Sequence, residues 1–493
     1  PDHILGMTRL NVYADPAEFW LIRQNDGGED GLVSGILPGP APVAGEDPNF
    51  DIPAGTRANI REIPIVIQDR SFNKDGSLFY PDNRAFFEGI NPAQLKIPFI
   101  GDPSSPSDIS PIWNPEAFFN VMVVNGVSWP TLEVEPDLYR FRLLNGCNSR
   151  FLNLSLQALD AAGAILEEVP FYQIGAEQSL MPKVVQVKTG FKTVLPGDGS
   201  IPTATDAAHP DEALLMGPAE RADVLVDFDN LPPGTTRVRM INTAPDAPFG
   251  GFPDIPADPA TSGQVMEFAV VADTVVGEGF TAPENLVMSL PDATDPANDP
   301  DTVGTPRDLA LLEEESASVC VTVKPNGSVD YDQNATPTEP PDGTCTDNLT
   351  GVTAASVPFA PKAAVLGTNG AAGGTVQLWS DPIAQNPEKD ATETWELWNW
   401  SADAHPIHLH LVKFKVVERQ IIDGARRDPE ATEAGWKDTV IAYPGEVTRL
   451  NATFDIEGLY VWHCHIVEHE DNEMMVPYCV GDKATAPGCN VVP

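Results

Sequence analysis

The chain has 493 residues, 42% of them hydrophobic, which is enough for roughly two or three domains with a sizeable core. Its 72 acidic and 29 basic residues give a formal net charge of −43. A surface of that charge repels nucleic acid and anionic membranes, so neither is an expected partner. The acidity fits a secreted protein better than adaptation to high salt, although composition does not separate the two.

Short apolar or alternating segments recur along the chain between glycine and proline residues. Long segments with a 3.6-residue period are scarce, and no apolar run approaches the length of about 20 residues that spans a membrane. This pattern predicts mostly β-sandwich structure. The predicted strands are Glu62–Gln68, Phe119–Val124, Tyr139–Leu144, Ala222–Phe228, Val265–Val271 and Thr394–Asn399.

Two changes in composition divide the chain. Residues 26–56 are rich in Gly, Pro and Asp, which predicts a connector after a short N-terminal piece at 1–25. One sandwich is predicted over 57–275 and another over 276–493. The second is predicted to carry a long acidic surface insertion at about 290–360, where aromatic residues are few.

The cysteine spacing indicates two disulfides. Cys320 and Cys345 bracket a segment rich in Pro, Gly and Asp, and Cys479 and Cys489 lie close together near the C-terminus. Both pairings are predictions from spacing, and both imply an oxidising compartment. Cys147 is predicted to be a free, partly buried thiol.

The histidines are concentrated near the C-terminus, where packing alone does not explain them. The chain has eight, and six of them fall into two short clusters. The clusters read His405-Pro-Ile-His408-Leu-His410 and His463-Cys464-His465-Ile-Val-Glu-His469, with Met474 close behind.

The apolar, aromatic residues just before the second cluster predict that it enters as a strand. Neighbouring side chains on a strand point to opposite faces. His463 and His465 are therefore expected on one face and Cys464 on the other, while His408 and His410 share a face by the same argument. One short segment could thus serve two metal centres joined through the cysteine backbone.

Cys464 lies in a donor set that suits copper. A thiolate, two imidazoles and a weak thioether make a blue-copper electron-transfer site. Cys464, His469 and Met474 follow within one loop, and His405 supplies the second imidazole. Zinc is the alternative metal, but zinc sites usually use two or more thiolates or a compact Cys/His set. Satisfied core histidines would account for one such residue and not for six.

At these clusters the sequence resembles the multicopper oxidases, in particular the three-domain bacterial type that includes spore-coat laccases, bilirubin oxidases and phenoxazinone synthase. The resemblance implies an all-β fold of tandem cupredoxin-like Greek-key β-sandwich domains. It extends along most of the chain through four further segments: Val124–Gly126 with Trp129-Pro130, Arg142–Asn148, Glu220–Val224 and Gly435–Val440.

Carried over residue by residue, the resemblance implies four copper ions in a complete enzyme. The implied ligands are His405, Cys464, His469 and Met474 for type 1 copper, His408 for type 2, and His410, His463 and His465 for the type 3 pair. Glu470 is implied as the carboxylate that relays protons during oxygen reduction. The alternative is that Glu470 is one more charge in the acidic run Glu468–Glu473.

The start of the chain departs from the family pattern. Where the family has a His-x-His pair, this sequence retains only His3, expected to be a type 3 ligand alongside His410 and His465. The family's trinuclear cluster takes eight histidines and this sequence matches five, so three are missing. The expectation is that the chain lacks most of the first domain, of which residues 1–25 would be the tail. His209, in an acidic loop, is expected to be solvated.

The implied activity is that of a laccase-like oxidase. Single electrons would come from phenols, aromatic amines or metal ions at type 1 copper, and dioxygen would be reduced to water at the trinuclear cluster. Met474 as axial ligand implies a low or medium potential. A secreted, periplasmic or cell-surface location is expected.

Two other readings stay open. One is a truncated blue-copper electron-transfer or copper-binding protein that does not reduce oxygen. The other is a coat protein with vestigial sites, against which the complete type 1 set counts. The sequence indicates neither the physiological substrate nor the oligomeric state.

Overall fold

The computed structural model describes residues 3–14, 19, 21, 32–39, 60–100, 107–187, 214–250, 257–272, 279–299, 306–325, 328–338, 343–370 and 373–490. Most of the predicted connector and His209 lie outside the described residues. Within them, no helix is long and apolar enough to cross a membrane.

Strands dominate the described chain, as the short alternating segments predict. Among the described residues, single turns of 3₁₀ helix lie at Pro92–Gln94, Pro283–Asn285, Pro296–Asn298 and Ala431–Glu433. The helices and strands in chain order are α1 (Thr8–Ala14), β1 (Val33–Ser34), β2 (Glu62–Arg70), β3 (Leu95–Lys96), β4 (Val121–Val124), β5 (Val127–Ser128), β6 (Thr131–Val134), β7 (Leu138–Asn145), β8 (Leu152–Leu159), β9 (Ile165–Val169), β10 (Phe171–Gly175), β11 (Leu180–Val187), β12 (Leu214–Met216), β13 (Arg221–Asp227), β14 (Arg237–Asn242), β15 (Gln264–Val270), β16 (Val287–Met288), β17 (Arg307–Glu314), β18 (Cys320–Val323), β19 (Val329–Tyr331), β20 (Ala335–Pro337), β21 (Cys345–Asp347), β22 (Val357–Pro358), β23 (Ala363–Thr368), β24 (Thr375–Gln377), β25 (Ala391–Asn399), β26 (His405–Leu409), β27 (Phe414–Ile421), β28 (Arg426–Arg427), β29 (Thr439–Ala442), β30 (Glu446–Phe454), β31 (Gly458–Cys464), α2 (Val467–Glu470) and β32 (Met475–Val480).

The first sandwich packs a seven-stranded sheet in the order β11-β10-β13-β7-β2-β4-β5 against a second sheet in the order β12-β8-β14-β15-β6, with β9 paired to β8. Alternate residues of each strand enter the shared core. On β2 these are Ile63, Ile65 and Ile67, which join Phe141 of β7 and Leu154 of β8 in one buried cluster.

The second sandwich packs a seven-stranded sheet, β24-β23-β17-β25-β30-β27-β28, against a four-stranded sheet, β29-β26-β31-β32. Trp395 and Trp462 meet edge to face in its core, with ring centroids 6.1 Å apart. Strands β26 and β31 are antiparallel neighbours, and His408 lies opposite His463. The sheet therefore brings the two histidine clusters, about fifty residues apart in sequence, side by side.

The predicted insertion at about 290–360 is wrong in one part. Residues Arg307–Glu314 form β17, which pairs with β23 and β25 inside the seven-stranded sheet. Its apolar residues Leu309 and Leu311 are buried, so the acidic composition around it conceals a core strand. A small separate sheet, β22-β18-β19-β3, contains three strands from this segment and one, β3, that lies between β2 and β4 in sequence.

The predicted strands and the two predicted disulfides are confirmed. The six predicted strands correspond to β2, β4, β7, β13, β15 and β25, with ends that differ by at most a few residues. Cys320 is bonded to Cys345, and Cys479 to Cys489. Cys147 is free, but it is fully rather than partly buried.

Candidate metal centre

One cysteine and two histidines meet in the core of the second sandwich. His405 begins β26, Cys464 ends β31, and His469 lies in the short helix α2. The Cys464 Sγ atom lies 3.7 Å from Nδ1 of His405 and 3.8 Å from Nδ1 of His469. A metal about 2.3 Å from sulfur and about 2.0 Å from nitrogen, at a trigonal angle of about 120°, requires a separation of about 3.7 Å. The three donors therefore fit a trigonal copper site.

Met474 is the fourth residue of the predicted type 1 set. Its side chain is fully buried in the same apolar cluster as Cys464. Its amide donates to the carbonyl of His469 at 2.9 Å, and its carbonyl accepts from the amide of Cys464 at 3.0 Å. The loop from Cys464 to Met474 therefore closes on itself around the site.

Hydrogen bonds orient the donor atoms of this site. Ser401 Oγ lies 2.7 Å from Nε2 of His405, which leaves Nδ1 to face the sulfur. The amide of Ile466 donates to Cys464 Sγ at 3.4 Å. Partners of this kind fix ring orientation and tune the ligand.

Burial changes the pKa values of the same three predicted ligands. It lowers the pKa of His405 and brings that of His469 to about 3, so both imidazoles are neutral at ordinary pH. It raises the pKa of the Cys464 thiol well above its usual range. A metal that binds here must therefore displace the thiol proton.

Three other histidines form a second group. One ring nitrogen from each of His3, His410 and His463 lies within 4.8 Å of the others, and the Nε2 atoms of His410 and His463 are 3.2 Å apart. His410 and His463 are two of the three histidines expected at the type 3 pair, and His3 joins them here. His465, the third, lies next to this group, with its ring centroid 5.4 Å from that of His463. Strand β31 ends at Cys464, so His465 lies beyond the strand in a bend.

His408 and His465 extend the group. Nδ1 of His408 lies 2.7 Å from the carbonyl of Asp438, which leaves Nε2 available as a ligand atom. The rings of His408 and His410 are 4.9 Å apart, and those of His408 and His465 are 6.0 Å apart. Nδ1 of His465 is buried and has no hydrogen-bond partner within the part of the chain that the structure describes, and burial lowers the pKa of this ring to about 3. Each of these two residues therefore has a ring nitrogen that could bind a metal at this group.

Glu470 bridges two members of the second group. Its Oε1 lies 2.6 Å from Nδ1 of His3, and its Oε2 lies 3.2 Å from Nδ1 of His463. Burial acts to raise the pKa of Glu470, but the histidine rings outweigh it and hold the pKa well below its usual range. Because the side chain is fully buried, Glu470 is not one more surface charge of its acidic run.

The two groups lie on opposite faces of β31. The side chain of Cys464 faces His405 and His469, whereas the preceding His463 faces His3 and His410. This is the alternation expected of a strand. One peptide unit therefore joins the two groups covalently.

Two carboxyl groups that lie near the cysteine site were not predicted from the sequence. Glu116 Oε1 lies 3.8 Å from Nε2 of His469, and Asp403 Oδ1 lies 3.5 Å from Nε2 of His405. Burial, together with the charge of Asp403, raises the pKa of Glu116 well above its usual range. Asp403 could have been noticed two residues before His405, but Glu116 comes from the other sandwich and gives no local signal.

Comparisons with known proteins agree with this geometry. The family model described as "Multicopper oxidase" matches residues 340–484. The laccase of Bacillus subtilis is 30% identical over 98% of this chain and 70% of its own length. A laccase of Haloferax volcanii is also 30% identical, over 97% of this chain and 58% of its own length.

A structural comparison shows the same fold. The 2F4 variant of the McoA multicopper oxidase from Aquifex aeolicus superposes with a TM-score of 0.53 at 22% identity, covering 86% of this chain and 66% of that one. The likeness confirms the predicted fold class of cupredoxin-like β-sandwiches. The chain spans 58% to 70% of the lengths of the relatives named here.

Proposed function

Because this chain belongs to the multicopper oxidase family, we propose that it is a laccase-like oxidase. It would take single electrons from phenols, aromatic amines or metal ions at a type 1 copper and reduce dioxygen to water at a trinuclear cluster. Multicopper oxidases act on small-molecule substrates and dioxygen. The assignment of each histidine to a copper type, and the identity of the donor, belong to this proposal.

The observation that carries the proposal is the placing of Cys464 between two imidazoles, at separations that fit a trigonal copper. Copper bound there would supply the one-electron redox couple. The protein contributes a rigid, dry pocket in which His405, His469 and Met474 are already in place. A site of this kind changes little between oxidation states, which favours fast electron transfer.

The adjacent residue connects this site to the second group. The backbone of Cys464 leads directly to His463, so an electron has a short covalent path between the two groups. Glu470 holds His3 and His463 through its two carboxylate oxygens. We assign it the role of passing on protons that are needed when oxygen is reduced, because a buried carboxylate at that position lies beside two of the proposed ligands.

A secreted, periplasmic or cell-surface location is part of the proposal. The two disulfides support it, because disulfides form and persist mainly in oxidising compartments.

A second candidate is a blue-copper electron-transfer protein. The observation that favours it is the number of imidazoles near the second group. The chain brings His3, His408, His410, His463 and His465 together there, against the eight expected from the family resemblance. In this case the type 1 site would form and oxygen would not be consumed.

Copper content and oxygen uptake separate the candidates. About four copper ions per chain with oxygen uptake support the oxidase, whereas about one blue copper without oxygen uptake supports the electron-transfer protein. Failure to become blue after copper loading would reject both and leave the coat-protein reading.

The chain offers a matched control for this test. Cys464→Ser should abolish the blue colour, whereas Cys147→Ser changes the other buried free thiol and should not. Equal loss in both variants would show that the colour reports general unfolding rather than the proposed ligand.

A further inference from the structure

Two tryptophan side chains stack on the outer face of the second sandwich. Trp398 lies on β25 and Trp400 directly follows its last residue, so the two side chains share one face of the strand. Their ring centroids are 6.2 Å apart, and their ring planes are inclined by only 14°. Trp395 and Leu397, on the other face of β25, are fully buried. The outer pair, called the tryptophan pair below, is therefore a flat aromatic surface outside the core.

Hydrogen bonds hold both indole rings of the tryptophan pair in place. Nε1 of Trp400 donates to Oδ1 of Asn369 at 3.0 Å, and Nε1 of Trp398 donates to Oε2 of Glu396 at 3.2 Å. Trp400 is nevertheless 40% exposed. Because the exposed ring is already fixed, a planar molecule can stack on it without a further loss of side-chain entropy.

Carboxylates border the tryptophan pair. Asp308 of β17 lies opposite Glu396 of β25 in the parallel ladder, where Ala310 lies opposite Trp398. Asp308 is exposed, whereas Glu396 is 8% exposed and pairs with Arg449. The exposed carboxylate of Asp308 can accept hydrogen bonds, and the net charge of −43 attracts cations to the whole surface. These surroundings suit a planar molecule that carries N–H donors or a positive charge.

The next residue of the chain connects the tryptophan pair to the cysteine site. Ser401 follows Trp400 and is buried, and its Oγ lies 2.7 Å from Nε2 of His405. On the other side of that ring, Nδ1 lies 3.7 Å from Sγ of Cys464. The path from Trp400 to the ring of His405 therefore consists of covalent bonds and one hydrogen bond.

The imidazoles of the cysteine site are closed to organic donors. His405 is 0% exposed and His469 is 2% exposed. A planar molecule in solution cannot stack on either ring, so its electron must cross residues that lie between the surface and the site. Trp400 and Ser401 are residues of this kind on the His405 side.

We propose that Trp398 and Trp400 form a docking surface for planar aromatic amines, and that an amine stacked there donates its electron to the type 1 site through Ser401 and His405. The inference rests on the proposed function and selects aromatic amines among its reducing substrates. In each step the amine loses one electron and becomes a radical cation, while the type 1 copper gains that electron and changes from +2 to +1. No bond forms or breaks in this step.

Trp129 offers a matched control. It is 39% exposed, and its Nε1 donates to the carbonyl of Thr261 at 3.2 Å. It lies between β5 and β6 in the first sandwich, whereas the cysteine site lies in the second. Exposure and a fixed indole N–H are thus common to Trp129 and Trp400, and only Trp400 is followed by a residue that contacts the cysteine site.

Binding is tested on the copper-free, isotope-labelled chain by nuclear magnetic resonance. The chain has nine tryptophans, and the indole N–H signals missing from Trp398→Leu and Trp400→Leu identify the pair. p-Phenylenediamine, titrated without oxygen, should shift these two signals with one common dissociation constant and leave the Trp129 signal in place. Trp400→Leu should weaken binding, followed at the Trp398 signal, by roughly fivefold to tenfold, because one stacking partner is lost. Trp129→Leu should bind the amine as the parent does.

Reduction of the blue copper tests the use of the docking surface. p-Phenylenediamine and ascorbate, which has no aromatic ring, are mixed separately with the oxidised chain without oxygen, and the loss of blue colour is timed. Below saturation, the amine should reduce Trp400→Leu roughly fivefold to tenfold more slowly than the parent, because less of it is bound. Trp129→Leu should react like the parent, and ascorbate should react equally with all three proteins.

The outcomes separate the docking surface from the proposed function. An unshifted pair of signals, or an equal shift of the Trp129 signal, would overturn the docking surface. An unchanged rate with the amine, or equal slowing of both reductants in Trp400→Leu, would overturn the electron route. If the chain never becomes blue, the proposed function fails, while the indole signals still decide whether the pair binds the amine. Variants whose other indole signals keep their positions are folded, so a loss of binding in them is not a loss of structure.

Discussion

Replacing Asp438 by Asn should weaken the junction between the two sandwiches and leave the copper ligands in place. Asp438 lies just before β29 in the second sandwich, and its carboxylate accepts hydrogen bonds from Arg221 and Gln178 of the first. The Arg221 contact is bidentate, with Nη1 at 2.8 Å from Oδ1. His408 uses the backbone carbonyl of Asp438, which the substitution retains.

The size of the effect follows from burial. Breaking a buried ion pair costs about 3–5 kcal/mol, because the remaining partner is left uncompensated. The Arg221 side chain is 29% exposed, so water can partly replace its partner. We therefore expect the free energy of unfolding at neutral pH to fall by about 2–3 kcal/mol.

The pH dependence has a definite sign. Burial acts to raise the pKa of Asp438, but Arg221 and His408 outweigh it and hold the pKa well below its usual range. A carboxyl group whose pKa is lower in the folded protein stabilises the fold. This stabilisation is fully present above the pKa of the group in the unfolded chain, about 3.9, and is lost as pH falls through its pKa in the folded protein. The difference between parent and variant should thus be constant from about pH 8 to pH 5 and shrink below about pH 4.

Urea unfolding at pH 7 and pH 3, with copper content measured in parallel, is the assay. Asp229→Asn is the control, because it removes the same charge at an exposed position of the first sandwich. The reasoning is refuted if Asp438→Asn and Asp229→Asn unfold at the same urea concentration at pH 7. Loss of copper before loss of structure would also contradict it.

Three more predictions concern single features. Ser401→Ala removes the hydrogen bond to His405. Copper titration should then show an affinity of the type 1 site for copper that is lower by roughly 10- to 100-fold. An unchanged affinity would mean that packing alone holds the His405 ring. Replacing Cys320 and Cys345 together by Ser removes a disulfide between residues 25 apart in sequence. The free energy of unfolding measured in urea should fall by about 3 kcal/mol. An unchanged stability of the parent in a reducing agent would contradict this expectation. Burial raises the pKa of Glu220 to about 7, so the free energy of unfolding of the parent should fall by about 3 kcal/mol as pH rises from about 4.3 through 7. Unfolding curves at pH 5 and pH 8 should show no such fall for Glu220→Gln. The same change of stability with pH in both proteins would refute the expectation.

The ligand types and the strands were predictable because each depends on local sequence. Alternating apolar residues mark strands such as β2 and β7, since one face of each strand must be buried. The side-chain alternation on β31 also predicted that Cys464 and His463 serve opposite faces. These inferences need nothing beyond the geometry of a single strand.

The remainder depended on contacts that are distant in sequence. The closeness of His3 to His410 and His463 depends on contacts between the two ends of the chain, which no local pattern indicates. Strand β17 was missed because its two buried leucines lie among acids, and only pairing with β23 and β25 makes it a strand. Glu116 reaches His469 from the other sandwich, which no local pattern can indicate.

The short segment from Cys464 to Asp471 is connected to both groups of predicted ligands. The strand ends at Cys464, and the chain then turns into α2, which returns His469 to the sulfur. The residue after that helix, Asp471, binds the amide of Thr8 through Oδ1 and the amide of the nearby Gly6 through its carbonyl. Helix α1, and with it His3, is thus positioned by the same segment that forms the cysteine site. A displacement of α2 would therefore move His469 of the cysteine site and His3 of the second group together. The distance that an electron must cross from Cys464 to His463 is set by the backbone of β31 rather than by packing between separate elements.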